Sequence, residues 1–483
     1  MKICIIAEGC YPYVIGGVSG WIHSMVNLYP NVEFVLLTLI SNRSQRAAFK
    51  YELPENLTEV HEVYLDELDW NARGRSTRRS KLNEEERGAL RSLIFNEDVD
   101  WGTLFALFAR KNIFVNDLLM GPDFLKIATA YYEAYYSNVT FADFLWTLRS
   151  VYLPLFTVLK AKVPEADLYH CASTGYAGIL GCMGQYFHNG KLLISEHGLY
   201  TREREEELIK ADWIGNTYRN IWIQQFAKMS KAAYDRGDLV TCLYEHARTL
   251  QMELGCPGEK IRVTPNGIHV ARLENIPGKQ EEDLSRVNIG AILRVAPIKD
   301  VKTMIQAFAQ AKAQREDLKL WIMGPWEEER EYAQECFQMV SDYDVKDVVF
   351  TDRVDVRDYL GRMDMTILTS ISEGQPLTVL ESYAARKPVI CTDVGCCREL
   401  IYGNDDGFGT AGILTHIMNV EEIAQAMLTL ADNPELRAQM GQSGYRRVNA
   451  VYHIDGMKKQ YLEIYQDFCK AQGKPWPEED FRI

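Results

Sequence analysis

Two carboxylates, Glu373 and Glu381, lie within the stretch Thr369-Ser-Ile-Ser-Glu-Gly-Gln-Pro-Leu-Thr-Val-Leu-Glu-Ser-Tyr383. The preceding residues, Asp364–Thr369, read as a short buried strand. Pro376 suits the first position of a helix, where no backbone N–H is needed. Leu377, Leu380 and Ala384 give that helix an apolar stripe. The spacing therefore predicts a strand, a polar turn and a helix, with Glu373 in the turn and Glu381 about one helical turn inside. Unpaired N–H groups at such a helix start attract a phosphate, and Gly374, Leu377 and Thr378 are the candidate backbone contacts. Glu381 can accept hydrogen bonds from a ribose, and Glu373 from a sugar. Taken alone, this spacing is equally compatible with two solvated helix-start charges, which the helix dipole favours.

A second stretch shifts the balance. Val287–Leu293 reads as a strand that runs into Arg294-Val-Ala-Pro-Ile-Lys299-Asp300, followed by an amphipathic helix through Met304, Ile305 and Phe308. An Arg and a Lys thus leave one strand end close together. A planar guanidinium fork and a point-charge ammonium suit the two phosphates of a nucleoside diphosphate. His197, in Ser195-Glu-His-Gly198, also follows a predicted strand and so stands at a strand's carboxyl end, where α/β folds bind ligands. Arg353, in Asp352-Arg-Val354, is a candidate near a nucleotide base. Gly16 and Gly17 precede a helix around Gly20–Leu28, where glycines permit unusual backbone angles and close approach of a ligand. They do not form the G-x-G-x-x-G dinucleotide fingerprint.

The elements that must hold these residues alternate strand and helix. Strands are expected at Lys2–Ala7, Glu33–Ile40, Thr58–Leu65, Asp167–Cys171, Lys191–Ser195, Leu239–Leu243 and Lys260–Thr264. A second set is expected at 287–293, 318–323, 347–351, 364–369, 388–391 and 412–415. This rhythm implies an α/β fold of two Rossmann-like domains, each with a parallel sheet, facing across a cleft where a ligand would bind. The expected domains are 1–278, 284–452 and a final helix over 453–483 that crosses back to the first, with the polar Gly278–Asp283 as linker. Lys81–Leu159 breaks the rhythm and reads as a helical insertion with an aromatic stripe. The basic run Arg73, Arg75, Arg78, Arg79 and Lys81 precedes it and is expected in a solvated loop.

The chain has 483 residues and a net charge of −14, which excludes general nucleic-acid or membrane-surface affinity through bulk charge. An anionic ligand would then need a local positive site such as Arg294 and Lys299. No run reaches the ~18 apolar residues of a membrane span, and the start is too short for a signal peptide. Eleven cysteines without paired C-x-x-C spacing fit a reducing cytoplasm and mostly buried thiols. No acidic motif demands a metal.

Glu373, Glu381, Arg294 and Lys299 together resemble the retaining GT-B glycosyltransferases of family 4. Their pattern is a Glu, seven residues and a Glu, preceded by an Arg and a Lys with four residues between, and both intervals match. The opening Glu8-Gly-Cys-Tyr-Pro-Tyr-Val-Ile-Gly-Gly-Val-Ser-Gly-Trp21 and the segment Ser195-Glu-His-Gly-Leu-Tyr-Thr-Arg-Glu-Arg204 are further similar to the PelF group of that family. These are the cytoplasmic glycosyltransferases of Pel exopolysaccharide synthesis. The resemblance covers most of the chain. It implies a UDP-sugar as substrate (UDP-N-acetylgalactosamine, UDP-glucose or UDP-N-acetylglucosamine), no cofactor and no metal. It also implies a polysaccharide acceptor, His197 near the donor sugar, and recruitment to a membrane-embedded Pel synthase complex at the inner face of the plasma membrane. Asp393-Val-Gly-Cys-Cys-Arg-Glu399 departs from the family's commoner Gly-Gly. A UDP-sugar epimerase, another GT-B glucosyltransferase, and a non-catalytic nucleotide-sugar-binding scaffold stand as alternatives.

Overall fold

The structure is a computed structural model that describes residues 1–41, 48–66, 82–110, 113–211 and 214–477. The basic run from Arg73 to Lys81 lies outside the described residues. The chain divides into two compact units. Unit 1 is Met1–Cys242, Arg248–Val263 and Leu462–Ile483; unit 2 is Leu243–Ala247 and Thr264–Tyr461.

Unit 1 opens with β1 (Lys2–Glu8), α1 (Gly17–Leu28), β2 (Glu33–Ile40) and β3 (Leu57–Tyr64). Five helices follow: α2 (Glu84–Phe95), α3 (Trp101–Arg110), α4 (Val115–Leu119), α5 (Pro122–Tyr135) and α6 (Phe141–Leu159). The alternation then resumes with β4 (Leu168–Cys171), α7 (Gly175–His188), β5 (Lys191–Ser195), α8 (Tyr200–Lys210), α9 (Asn216–Arg236), β6 (Leu239–Cys242), α10 (Glu245–Glu253) and β7 (Ile261–Val263). The seven strands form one sheet in the order β3-β2-β1-β4-β5-β6-β7, with every pair parallel. In β1, Ile3 to Ala7 are all buried. Such unbroken apolar runs are what a strand covered on both faces needs. The chain winds one way from β1 and the other way from β4, so the two strands part at the centre of the sheet.

The insertion is helical throughout its described part, and its aromatic stripe is core. Trp101, Phe105, Phe108 and Phe144 are buried, as are Leu90, Leu104 and Leu148. Asn83 starts α2 through a reciprocal cap: its side chain accepts from Glu86 N at 2.8 Å, while Glu86 Oε2 accepts from Asn83 N at 2.8 Å.

Unit 2 contains α11 (Ala271–Glu274), β8 (Val287–Ile292), α12 (Val301–Gln314), β9 (Leu318–Met323), α13 (Arg330–Asp342), β10 (Val348–Asp352), α14 (Val356–Leu360) and β11 (Met365–Leu368). It continues with α15 (Leu377–Ala384), β12 (Val389–Thr392), α16 (Cys397–Tyr402), β13 (Gly412–Thr415), α17 (Val420–Asp432) and α18 (Pro434–Val451). The last helix, α19 (Ile454–Ala471), counts with unit 2 as far as Tyr461 and with unit 1 from Leu462. The six-stranded sheet runs β10-β9-β8-β11-β12-β13, again all parallel. Here the chain reverses its direction of winding between β8 and β11.

One expectation changes in detail. Gly278–Asp283 is not a free linker. Asp283 is fully buried and accepts from Arg362 Nε at 2.7 Å, so a charge that looks solvated in sequence anchors this segment within unit 2. None of the eleven cysteines forms a disulfide, and all are buried except the half-buried Cys10.

Arg447, in α18, is only 1% exposed. Its guanidinium donates to both Asp406 oxygens, at 2.5 and 3.0 Å, and to the carbonyls of Leu400, Ile401 and Gly409 at 2.6 to 3.0 Å. It therefore closes the last turn of α16 onto the following loop. Removing one member of such a buried pair costs about 3–5 kcal/mol. Arg447→Ala is expected to lower the unfolding free energy by that order, seen as a lower urea midpoint, and an unchanged midpoint would refute the role.

Candidate functional site

β8 and β11 are neighbours in the unit 2 sheet, and the chain winds away from them in opposite directions. The loops that leave their carboxyl ends therefore open a crevice, where this class of sheet binds ligands. The first loop carries Arg294 and Lys299, the second Glu373. Ile371 N–H donates to the Ile298 carbonyl at 2.9 Å, and Thr369 Oγ1 donates to the carbonyls of Lys299 and Asp300 at 3.0 and 3.1 Å. The first joins the two loops backbone to backbone, and the Thr369 hydroxyl adds side-chain bonds to the same stretch. Lys299 Nζ then lies 2.5 Å from Glu373 Oε1, which also accepts from Ser370 Oγ at 2.6 Å. Oε2 of Glu373 makes no hydrogen bond among the described residues. Asp300 takes the left-handed conformation, with φ 47°, and its side chain caps α12.

Glu373 and Gly374 are also fixed from the β12 side. Cys396 N–H donates to the Gly374 carbonyl at 3.0 Å. Gly395 has φ 54°, and a β-carbon there would strike the carbonyls of Glu373 and Gly374. The single glycine of Asp393–Glu399 thus stands where two backbones meet. Gln375 is clamped both ways: its Oε1 accepts from Asn266 N at 2.8 Å and its Nε2 donates to Asn266 O at 3.3 Å.

Pro376 is the residue before α15 rather than its first, with ψ 107°, and no side chain caps this helix start. The half-buried Leu377 and Thr378 supply the first two backbone N–H groups. Glu381 lies one turn further on, and its carboxylate has no hydrogen-bond partner among the described residues. Burial alone raises its carboxyl to about 7.

Arg294 and Arg353 stand apart from this cluster. Val295 N–H donates to the Pro325 carbonyl at 2.9 Å, so the Arg294 loop leans toward the loop after β9. Arg294 Nη1 there meets Glu328 Oε2 at 2.7 Å, and both side chains are exposed. Arg353 is exposed after β10, a strand separated from β8 by β9.

His197 belongs to unit 1, just after β5. The Trp21 ring from α1 packs edge-on against it, with centroids 4.3 Å apart. Its Nε2 is buried with no hydrogen-bond partner, and burial lowers its pKa to about 4, so the ring is neutral at pH 7. It lines a cavity of about 820 Å³ at the carboxyl ends of the strands, together with Glu8, Tyr176, Tyr200, Glu203 and Arg204. Gly16 and Gly17 lie between two residues of its wall, Val14 and Val18. Neither glycine takes the left-handed conformation: Gly16 is fully extended, with φ 179°. The expectation of an unusual backbone there is not met, although open space surrounds both positions.

The sequence reading did not single out Glu8 or Ser370. Glu8 ends β1 and accepts from Tyr200 Oη at 2.9 Å and Ala177 N at 3.3 Å. Burial raises its pKa. An acidic residue closing an apolar strand, followed by glycine, was the available signal. Among the described residues no group of three or more His, Cys, Asp or Glu is placed to hold a metal ion, and no helix is long and apolar enough to cross a membrane.

Known proteins share this fold. Residues 1–259 match the family described as a domain of unknown function (DUF3492), and residues 286–433 match glycosyl transferases group 1. The MMP alpha-(1->4)-mannosyltransferase of Mycolicibacterium hassiacum is 21% identical over 319 residues, 64% of this chain and 72% of that protein. The N-acetyl-alpha-D-glucosaminyl L-malate synthase of Bacillus anthracis is 26% identical over 246 residues, 49% of this chain and 61% of that protein. The chain thus spans less than two thirds of the latter. Among solved structures, Anabaena HepE in complex with UDP has a TM-score of 0.63 at 15% identity, covering 97% of this chain and 100% of that one. Sucrose-phosphate synthase from Thermosynechococcus elongatus has a TM-score of 0.60 at 14% identity, covering 97% and 99%. The chain therefore belongs to the DUF3492 family and, with a glycosyl transferases group 1 domain after that region, is a glycosyltransferase of the GT-B type.

Proposed function

We propose that the chain is a retaining, metal-independent glycosyltransferase that moves a sugar from a UDP-sugar to a growing Pel-type exopolysaccharide. The donor is UDP-N-acetylgalactosamine, UDP-glucose or UDP-N-acetylglucosamine. The observation that carries this reading is the pairing of Lys299 with Glu373 in the crevice between β8 and β11, beside an uncapped helix start. That solved structures of the same fold hold UDP or UDP-glucose adds to it. The likeness of Glu8–Trp21 and Ser195–Arg204 to the PelF group supports the acceptor, a cytoplasmic location and work alongside a membrane-embedded synthase.

In this reading Lys299, Arg294 and the N–H groups of Leu377 and Thr378 take the diphosphate. Negative charge grows there as the bond from the anomeric carbon to the β-phosphate oxygen breaks and its electron pair leaves with UDP. Arg294 must exchange Glu328 for phosphate, an inexpensive move because that ion pair is exposed. The acceptor hydroxyl adds from the face the phosphate leaves, and its proton passes to the departing phosphate oxygen. Glu373 keeps Oε2 for a sugar hydroxyl, and neutral His197 serves the donor sugar as a hydrogen-bond partner. Arg353 contacts the base through its backbone. Glu381 receives the ribose hydroxyls, which supply the donors its buried carboxyl lacks.

Calorimetric titration with UDP and the three UDP-sugars, without added metal, tests the donor site. Lys299→Ala and Arg294→Ala are each expected to weaken UDP about 10- to 100-fold, as loss of a charge-assisted hydrogen bond implies, and to abolish transfer while the protein stays folded. Wild-type turnover in either variant would sink the assignment.

Glu381 makes a separate prediction. An unfolded glutamate ionises near its ordinary value of 4.5, whereas the folded one holds its proton to about 7. Between these values the folded state binds the extra proton, so stability falls as pH rises through that window. Glu381→Gln should therefore stabilise the ligand-free protein by about 1–3 kcal/mol at pH 8. The gain should vanish below the unfolded value, and saturating UDP should reverse it. Thermal unfolding at pH 4 and 8 measures this, and equal shifts at both pH values would contradict the account.

A further inference from the structure

Unit 1 has another cavity, of about 700 Å³, at the end of its sheet away from His197. β5 runs from Lys191 to Ser195, so His197 follows its carboxyl end, whereas this cavity is lined by its first residue, Lys191. In a parallel sheet the helices stop where the strands begin, and α7, α9 and α19 all end here, at His188, Arg236 and Ala471. Asn189 closes α7 in the left-handed conformation, with φ 57°. Gly190 follows it, where a β-carbon would strike the Ala166 carbonyl and the Tyr169 ring. The wall is braced by its own bonds. Lys191 Nζ donates to Asp238 Oδ1 at 2.8 Å, Gln185 Nε2 donates to Asp238 Oδ2 at 3.2 Å, and Lys474 pairs with Asp167.

Other groups on the wall are left unengaged. The Asn189 amide, the Tyr186 hydroxyl, the Arg236 guanidinium and the exposed Glu165 carboxylate make no hydrogen bond or ion pair among the described residues. The Arg236 guanidinium is held by aromatic faces, 5.5 Å from the Phe105 centroid and 5.9 Å from that of Tyr186. The Tyr186 ring is itself 41% exposed. Charge on the wall balances, with Glu165, Asp167 and Asp238 against Lys191, Arg236 and Lys474. Three helix carboxyl ends add partial negative charge, which disfavours an anion, and a cation meets the three basic groups already there. A neutral ligand remains, one that donates and accepts hydrogen bonds and lays an apolar face on Tyr186. A saccharide does so, through hydroxyls at its edge and C–H groups on its face. The volume lies within the range of small-molecule sites.

We infer that this cavity is a non-catalytic saccharide-binding site that holds a stretch of the polymer away from its growing end. Tyr186 supplies the platform for a sugar ring, and Asn189 and Arg236 meet its hydroxyls. The inference takes its ligand from the glycosyltransferase reading above, but none of its residues belongs to the diphosphate site or to the cavity beside His197. A polymer anchored at one point keeps its free end near the enzyme at a raised effective concentration.

The test is a ligand-observed NMR titration of the full chain, without UDP, using cellotriose, maltotriose and the β-1,4-linked N-acetylglucosamine trimer. At least one trisaccharide is expected to bind the wild type. Tyr186→Ala and Asn189→Gly, the latter compatible with the left-handed backbone, should each weaken that probe about three- to tenfold, and the double variant about tenfold or more. Tyr186→Phe keeps the ring and should retain most of the affinity, which separates a platform from a merely structural side chain. UDP affinity by calorimetry and the unfolding temperature of Asn189→Gly should stay at wild-type values. A wild type that binds none of the trisaccharides overturns the inference, as does undiminished binding in the double variant. Binding of inorganic phosphate here, lost in Arg236→Gln, in place of any trisaccharide also overturns it. Failure of the wild type to bind UDP counts against the donor reading instead, and the saccharide titration decides the cavity by itself.

Discussion

The bond from Ile371 N–H to the Ile298 carbonyl is the constraint on which the unit 2 site depends. It joins the loop leaving β8 to the loop leaving β11, and Thr369 Oγ1 doubles it by reaching the carbonyls of Lys299 and Asp300. Two flexible side chains, a lysine and a glutamate, are brought together because their backbones are tied a few atoms away. Without that tie, the rotamer entropy of Lys299 and Glu373 would oppose a fixed pair. The surrounding sequence serves the same end. Gly395 lets the β12 loop close on Glu373, and Gln375 anchors the turn to Asn266. The chemistry sits on loops, and their order comes from parallel strands on either side of a winding reversal.

Unit 1 solves a similar problem with buried carboxylates. Glu196 accepts from Tyr234 at 2.6 Å, Gln251 at 2.8 Å, Thr174 at 3.1 Å and the Tyr200 backbone at 3.3 Å. It joins β5 to helices α8, α9 and α10 directly beneath His197. His170 continues the network, bonded to Ser195 and to Tyr465. The Glu196 carboxylate and the His170 ring thus have partners inside the protein, whereas His197 Nε2 and Arg204 Nε have none. Satisfied and unsatisfied polar groups thus separate framework from cavity within a few residues of sequence.

The strands were legible because parallel strands covered on both faces carry apolar runs such as Ile3–Ala7 and Ile289–Ile292, bounded by polar turns. Glu373 and Lys299 were legible from spacing, since strand-turn-helix units put such residues at one end of a sheet. The partnership of Arg294 with Glu328 was not, because it depends on a Val295–Pro325 backbone bond between loops distant in sequence. The cavity role of Glu8 was hidden for a similar reason: sequence places it at a strand end, but only the sheet order brings β4 and the start of α7 beside it. Asp283 illustrates the converse error. A run of acidic residues resembles a linker until Arg362, far along the chain, proves to be its partner.

The ownership of α19 has a consequence for how the molecule comes into being. Tyr465 Oη lies 2.8 Å from His170 Nδ1, and Gln472 Nε2 donates to the Asp167 carbonyl at 2.7 Å. Both early partners lie in or beside β4. As a ribosome releases the chain from its amino end, unit 1 must wait, missing its last helix, while all of unit 2 is made. The second half is then the first that can be completed, and His170 and Asp167 of the older half lack these partners for the time taken to translate nearly three hundred residues, roughly 15–60 s at typical rates. The chain is read from front to back, but the first unit is finished last.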